Sequence, residues 1–197
     1  MKIELFDMYG IEPALFGIGL SHGLTSGYED WFSLTSELRQ RLYGVAENLC
    51  VKDGGHNKFL RQIEFWWDAN LPRFLWQECD QYRIGVTTQS ESTMHTIMHR
   101  PLTHDDFEFG RVDNRTLDEL NQMIAEYKKT KDPELFLRVK CDLPEGFLQR
   151  RIWMLSLANM KNIYHQRRNH RLPQWKMICD AFVENTPMCL RGIYGQD

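Results

Sequence analysis

The chain lacks any close pair of cysteines. Cys50, Cys79, Cys141, Cys179 and Cys189 are an odd number, widely spaced, with no C-x-x-C among them. That pattern argues against a disulfide framework and a cysteine-ligated zinc, and reduced thiols are expected. No apolar run approaches the roughly 18 residues of a membrane span; the longest, Ile152 to Ala158, directly follows two arginines. Glu4 and Asp7 interrupt the N-terminal apolar residues, so the start does not read as a secretion signal and a cytoplasmic protein is expected. Also absent are G-x-x-x-x-G-K-[ST], G-x-G-x-x-G and G-x-S-x-G, which removes the main supports for P-loop, dinucleotide-fold, kinase and hydrolase readings. There is no internal repeat or low-complexity tract.

What is present suits a folded domain. Apolar residues make up 42%, charged residues 26% and aromatics 12%, a balance that excludes disorder, collagen-like repeats and coiled coils. At 197 residues, one domain spanning 1–197 is expected, large enough to bury a core without disulfide or metal.

The net charge of -3 conceals an asymmetry. Residues 1–37 carry Glu4, Asp7, Glu12, Glu29, Asp30 and Glu37 against Lys2 alone. Between Glu145 and Asp180 there is no acid, while Arg150, Arg151, Lys161, Arg167, Arg168, Arg171 and Lys176 are basic. Such a segment is either a solvated helix face balanced by the N-terminal acids or a site for phosphate. Nucleic acid is a poor candidate, since no nucleic-acid-binding motif accompanies the charges.

Hydrophobic periodicity predicts a helix-rich α+β domain with a small β-sheet. Lys2–Asp7 alternates as a strand. The glycines and proline of residues 10–32 predict a long loop. Leu34, Leu38, Leu42, Val45 and Leu49 predict a helix with Ser33 as cap. A second helix is expected from near His56, leading into Phe65-Trp66-Trp67, and a third from Pro72 to about Tyr82. Residues 87–93 read as a polar turn or bent helix start. Thr116 with Glu119 resembles a capping box opening a helix over 116–129, and Asp132-Pro133 starts another, stopped by Leu143-Pro144. Residues 145 to about 168 read as one long helix, and Gln174 to about Glu184 as the last.

Several groups could carry chemistry. His95 and His99 stand at i and i+4, a zinc-compatible spacing, but two ligands without a third do not make a site and no metal is expected. Ser92 and Thr93 offer hydroxyls, equally suited to capping a turn. Phe65, Trp66, Trp67, Phe74 and Trp76 could stack on a planar ligand or form core. Arg167-Arg168-Asn169-His170-Arg171-Leu172-Pro173-Gln174-Trp175 lies between two expected helices. There a forked Arg168–phosphate pair would be reinforced by a helix N-terminus; the alternative is a cluster neutralising helix carbonyl ends.

These residues resemble the flavin-dependent thymidylate synthases. That family has a Leu-Pro pair before a long helix ending in Arg, four residues and Ala-Gln-Trp; this chain has Leu143-Pro144, then Arg168, four residues and Pro173-Gln174-Trp175. The family signature begins Arg-His-Arg and runs through a polar stretch to a serine; here Gln81-Tyr82-Arg83 leads through Ile84–Glu91 to Ser92. Lys58–Ile63 resembles the family's preceding helix, and the similarity spans roughly residues 34–185. Ser92-Thr93-Met94-His95 and Arg167–His170 also resemble stretches of short phage and prophage proteins of this type.

The resemblance implies a homo-oligomer with FAD as cofactor, folate as carbon donor and a pyrimidine nucleotide as substrate. The activity implied is methylation of deoxyuridylate or a related one-carbon transfer. Ser92 and Arg83 would be catalytic, with Arg73, Arg83, Gln89, Arg168 and Gln174 binding substrate. The alternative is an inactive nucleotide-binding phage protein that sequesters its ligand. An oligomer is also expected because Trp66, Trp67 and Trp76 are more aromatic surface than one small helix hides.

Overall fold

In the computed structural model, which describes residues 1–195, the alternation at the N-terminus forms strand β1, Lys2–Tyr9. Gly10 follows at φ 89°, a left-handed conformation that costs glycine little, and starts helix α1, Ile11–Ser21. The loop expected over 10–32 is therefore helical in its first part. Pro13 falls in the first turn, where an N–H has no helical partner, and Ala14, Leu15, Ile18 and Gly19 are buried. That burial outweighs the weak helix propensity of the glycines.

Helix α2 spans Ser36–Cys50 and is capped by Thr35, whose hydroxyl accepts from the Leu38 N–H at 3.2 Å. The expected cap, Ser33, instead bonds Asp30. The helix expected near His56 is only a 3₁₀ turn, Lys58–Arg61, because strand β2 begins at once as Glu64–Pro72. Phe65, Trp67, Ala69 and Leu71 are its buried face, and Pro72 leads into α3, Arg73–Cys79, which stops short of Tyr82.

Val86–Ser90 forms strand β3, where a turn was expected. It is an edge strand, so its mostly polar sequence carries no hydrophobic period. Thr93–Thr96 forms the short helix α4. Helix α5, Asn114–Thr130, is capped by Asp113 rather than Thr116, the Asp113 carboxylate accepting from the Thr116 N–H at 3.0 Å. Helix α6, Pro133–Asp142, starts on Asp132 and ends at Leu143-Pro144 as expected.

The long helix expected over 145–168 is two elements, strand β4, Leu148–Ser156, and helix α7, Leu157–Arg167. Leu148, Ile152 and Leu155 fit a helical stripe, but Trp153 and Leu155 are buried at period two in a strand lying between β2 and β3. Ser156 ends the strand and caps α7 in a reciprocal box with Asn159. Helix α8, Pro173–Asn185, follows, and a 3₁₀ helix, Met188–Tyr194, comes after it. The sheet order is β1-β2-β4-β3, and the class is the expected helix-rich α+β.

The residues fall into two compact units. One comprises 1–3, 68–81 and 88–152, with a core of Ile97, Met98, Leu102, Phe107, Leu117, Leu120, Ile124, Val139 and Leu143. The other comprises 4–67, 82–87 and 153 onward. In it Phe182 lies 5.2 Å from the Trp67 ring and 6.2 Å from Trp153. Trp67 and Trp76 are fully buried and Trp66 half-buried, so the tryptophans supply core and not the interface surface inferred from sequence.

Gly10 gives a direct test of this architecture. A Cβ there would lie 2.1 Å from the Gln62 carbonyl oxygen, adding overpacking to a left-handed strain of about 1–2 kcal/mol. Gly23, at φ 66°, has nothing within 4 Å and would pay the strain alone. In urea unfolding, Gly10→Ala is expected to cost about 2–5 kcal/mol and Gly23→Ala about 1 kcal/mol; equal costs contradict the close approach.

Candidate functional site

The basic segment is largely neutralised within the fold. Arg150 pairs with Asp68 at 2.5 Å, Arg151 with Asp80 at 2.9 Å, Lys161 with Asp53 at 3.3 Å and Lys176 with Asp180 at 2.6 Å. The Arg150 hydrogen bond holds the Asp68 carboxyl below its usual range. The acids that answer these four cations are Asp68, Asp80, Asp53 and Asp180, none of them among residues 1–37.

Three groups retain chemistry, the first in the unit containing residues 88–152. Lys140 of α6 directs its ammonium onto the Thr93 hydroxyl, beside Ser92. Burial and then the nearby Arg73 charge push the Lys140 pKa down. Arg73 donates to the Leu143 carbonyl at 3.2 Å and pairs with Glu145 at 3.4 Å, but no carboxylate among the described residues pairs with Lys140. A partly desolvated ammonium that feels a second cation and meets only a hydroxyl favours an anion. Ser92, at the start of α4, makes no capping bond with its side chain. Gln89 is exposed on β3 in the same unit. Arg73, Ser92 and Gln89 thus share a unit, and Lys140 and Thr93 are the residues sequence reasoning did not select.

The second group lies at the turn from α7 to α8. Arg168 is exposed, its guanidinium carbon 5.7 Å from the Tyr164 ring centroid, and it borders a cavity of about 470 Å³ with Tyr164, Asn169, Lys176, Cys179 and Asp180. No carboxylate among the described residues pairs with Arg168. Burial pushes the Cys179 thiol up to about 12, so it contributes no thiolate near neutrality. Gln174 is buried in the first turn of α8, a place for structure more than for solvent-borne ligand. Arg83 is exposed just before β3, in the same unit as Arg168 and Gln174.

The third group was not foreseen from sequence. A cavity of about 580 Å³ lies among α1, the end of α2 and the 58–61 turn, within the range of about 300–1,000 Å³ usual for small-ligand sites. Ala14, Ile18, Leu49 and Phe59 give it apolar walls, and His22, His56, Lys58 and Arg61 give it a basic rim. None of its lining residues is acidic. It escaped the sequence because α1 was read as loop.

Other candidates do not assemble. His95 and His99 are both exposed and α4 ends at Thr96, so the helical i, i+4 face is not continued to His99. Among the described residues no three His, Cys, Asp or Glu side chains gather as a metal site. Of the five aromatics that could have stacked on a planar ligand, Phe65, Trp67 and Trp76 are core, and Trp66 and Phe74 are half-buried. Among the described residues no helix is long and apolar enough to cross a membrane.

No protein-family model matches the sequence, and no curated protein matches it. Solved structures do match. The crystal structure of flavin-dependent thymidylate synthase ThyX from Helicobacter pylori complexed with FAD and dUMP agrees with a TM-score of 0.71, over 99% of this chain and 98% of that one, at 14% identity. A second structure of Helicobacter pylori ThyX with FAD and dUMP, at 2.31 Å resolution, gives the same TM-score, coverage and identity. The chain therefore has the fold of the flavin-dependent thymidylate synthases along nearly its whole length, as the motif resemblance implied.

Proposed function

We propose that this chain binds a pyrimidine deoxynucleotide, deoxyuridylate, together with FAD, and that it carries out a one-carbon transfer onto that nucleotide. The observation that carries the reading is the Lys140 ammonium beside Thr93 and Ser92, a cation held without a carboxylate in a fold whose solved examples contain dUMP. Each group has the chemistry for one part of the ligands. Lys140 and Arg73 supply charge for a phosphate monoester, the Thr93 hydroxyl can donate to its oxygens, and Gln89 can bond a ribose or base edge. In the other unit Arg83 and Arg168 carry guanidinium groups able to donate to phosphate or pyrimidine oxygens, and Gln174 lies in the first turn of α8.

The cavity among α1, the end of α2 and the 58–61 turn is the place this reading assigns to the flavin dinucleotide. Its apolar walls suit a ring system, and His22, His56, Lys58 and Arg61 would hold a pyrophosphate with no acid opposing it. When bound, flavin supplies the electrons that a one-carbon transfer to the methyl level requires. The chain's own part is to hold the nucleotide by its phosphate and to orient the base toward Ser92. A homo-oligomer belongs to this proposal. Its support is edge strand β1, whose Phe6 and Tyr9 are 66% and 57% exposed.

A second reading, binding without turnover, is favoured by one observation. Tyr82 stands at the middle position of the signature and its hydroxyl is occupied by Arg167 and Gln166. Visible absorbance of the purified chain with FAD tests cofactor binding, and tritium release from ring-labelled deoxyuridylate, with reductant and folate supplied, tests transfer. Binding of both ligands with no tritium release selects the sequestering reading; binding of neither contradicts the proposal.

Two substitutions test the residues. Lys140 is a base whose folded pKa is depressed, so its charge opposes folding below that value, and the penalty fades as pH rises toward the ordinary lysine range. At neutral pH Lys140→Met is expected to keep or raise the melting temperature while weakening deoxyuridylate by roughly tenfold or more. A melting temperature several degrees lower with unchanged affinity contradicts this. Arg168→Ala is expected to weaken deoxyuridylate by about ten- to a hundredfold with little change in melting temperature, and Arg168→Lys to recover only part, since an ammonium lacks the fork. Calorimetric titration beside thermal melts reads both.

A further inference from the structure

Tyr82 and Arg167 join two stretches of sequence 85 residues apart. The Arg167 Nε–H donates to the Tyr82 hydroxyl at 2.8 Å, and that hydroxyl donates to Gln166 Oε1 at 3.1 Å. The Arg167 guanidinium also lies over two rings, 4.9 Å from the Trp175 centroid and 5.6 Å from that of Tyr82. The two rings meet edge to face at 6.3 Å. A guanidinium held by two aromatic rings and bonded at Nε is a fixed structural group, not a mobile ligand.

Two residues further along, the same segment is tied again: Asn159 Nδ2 donates to the Ile84 carbonyl at 2.9 Å. Asn159 sits in the first turn of α7 and Arg167 at its last residue, eight residues or about 12 Å along the helix. The segment 82–84 is thereby pinned at both ends of α7. Arg83 lies between the two ties, and Arg168 is the next residue after Arg167. The link thus sets the backbone position of both exposed arginines at once.

We propose that Tyr82 and Arg167 are positioning residues that fix Arg83 and Arg168 as one paired site for the oxygens of a single nucleotide. This rests on the nucleotide reading above and adds to it a role for two residues that touch no ligand. Tyr82 fits the role through both parts of its side chain, the ring under Arg167 and the hydroxyl between Arg167 and Gln166.

A double-mutant cycle on the full-length chain, titrated with deoxyuridylate by calorimetry, tests it. Tyr82→Phe keeps the ring and removes only the hydroxyl, so the melting temperature is expected to stay near that of the parent while affinity falls roughly five- to tenfold, the scale of one ordinary hydrogen bond. Arg168→Ala in the Tyr82→Phe background is expected to cost clearly less than in the parent, because an arginine already out of place has less to lose. Additive losses, or a Tyr82→Phe chain with parental affinity, overturn the positioning role while leaving the nucleotide reading intact. A parent chain that binds no deoxyuridylate contradicts that reading and removes this inference with it.

Discussion

Burial of tryptophan on two neighbouring strands is the constraint from which the positions of the other elements follow. Trp67 on β2 and Trp153 on β4 are both almost fully buried, and Phe182 of α8 packs against each. An aromatic side chain removes about 150–250 Å² from water, worth on the order of 4–6 kcal/mol at the usual coefficient. Two such residues on paired strands fix the register of β2 against β4, since a slip of either strand by one residue would turn its indole outward. Register in turn sets where β4 ends, at Ser156, and hence where α7 begins and where its far end presents Arg167 and Arg168.

Much of this was legible in the sequence, and the rest was hidden for identifiable reasons. The helices over 36–50, 114–130, 133–142 and 173–185 follow from periodic leucines, caps and the proline stops. β2 alternates cleanly at Phe65, Trp67, Ala69 and Leu71, but Trp66 on the other face disguises the alternation as a continuous bulky run. β4 was obscured because Leu148, Ile152 and Leu155 satisfy helical spacing and strand spacing in part. α1 could not be read from propensity, because its glycines are tolerated only through close packing, with Gly19 against Thr25 and Leu42.

The candidate sites show the same division. Arg168 and Ser92 stand out in sequence because each lies in a recognisable motif. Lys140 does not, for a single lysine two residues from the end of a helix looks like any solvated cation, and only its contact with Thr93 and its distance from any balancing carboxylate mark it. The basic run from Arg150 to Lys176 misleads in the opposite direction. Its charges look available until Asp53, Asp68, Asp80 and Asp180 are seen to answer four of them. Sequence gives the inventory of charge, and packing decides which charges are left to meet a ligand.

The central claim is that uncompensated cations in this fold recognise the phosphate of a pyrimidine nucleotide. Comparative calorimetry of deoxyuridylate and deoxyuridine tests it most directly, because the two ligands differ only in that phosphate. The account predicts that the monophosphate binds roughly a hundredfold or more tighter than the nucleoside, the scale of two charge-assisted contacts. Equal affinities for the two, or no binding of either, would contradict it.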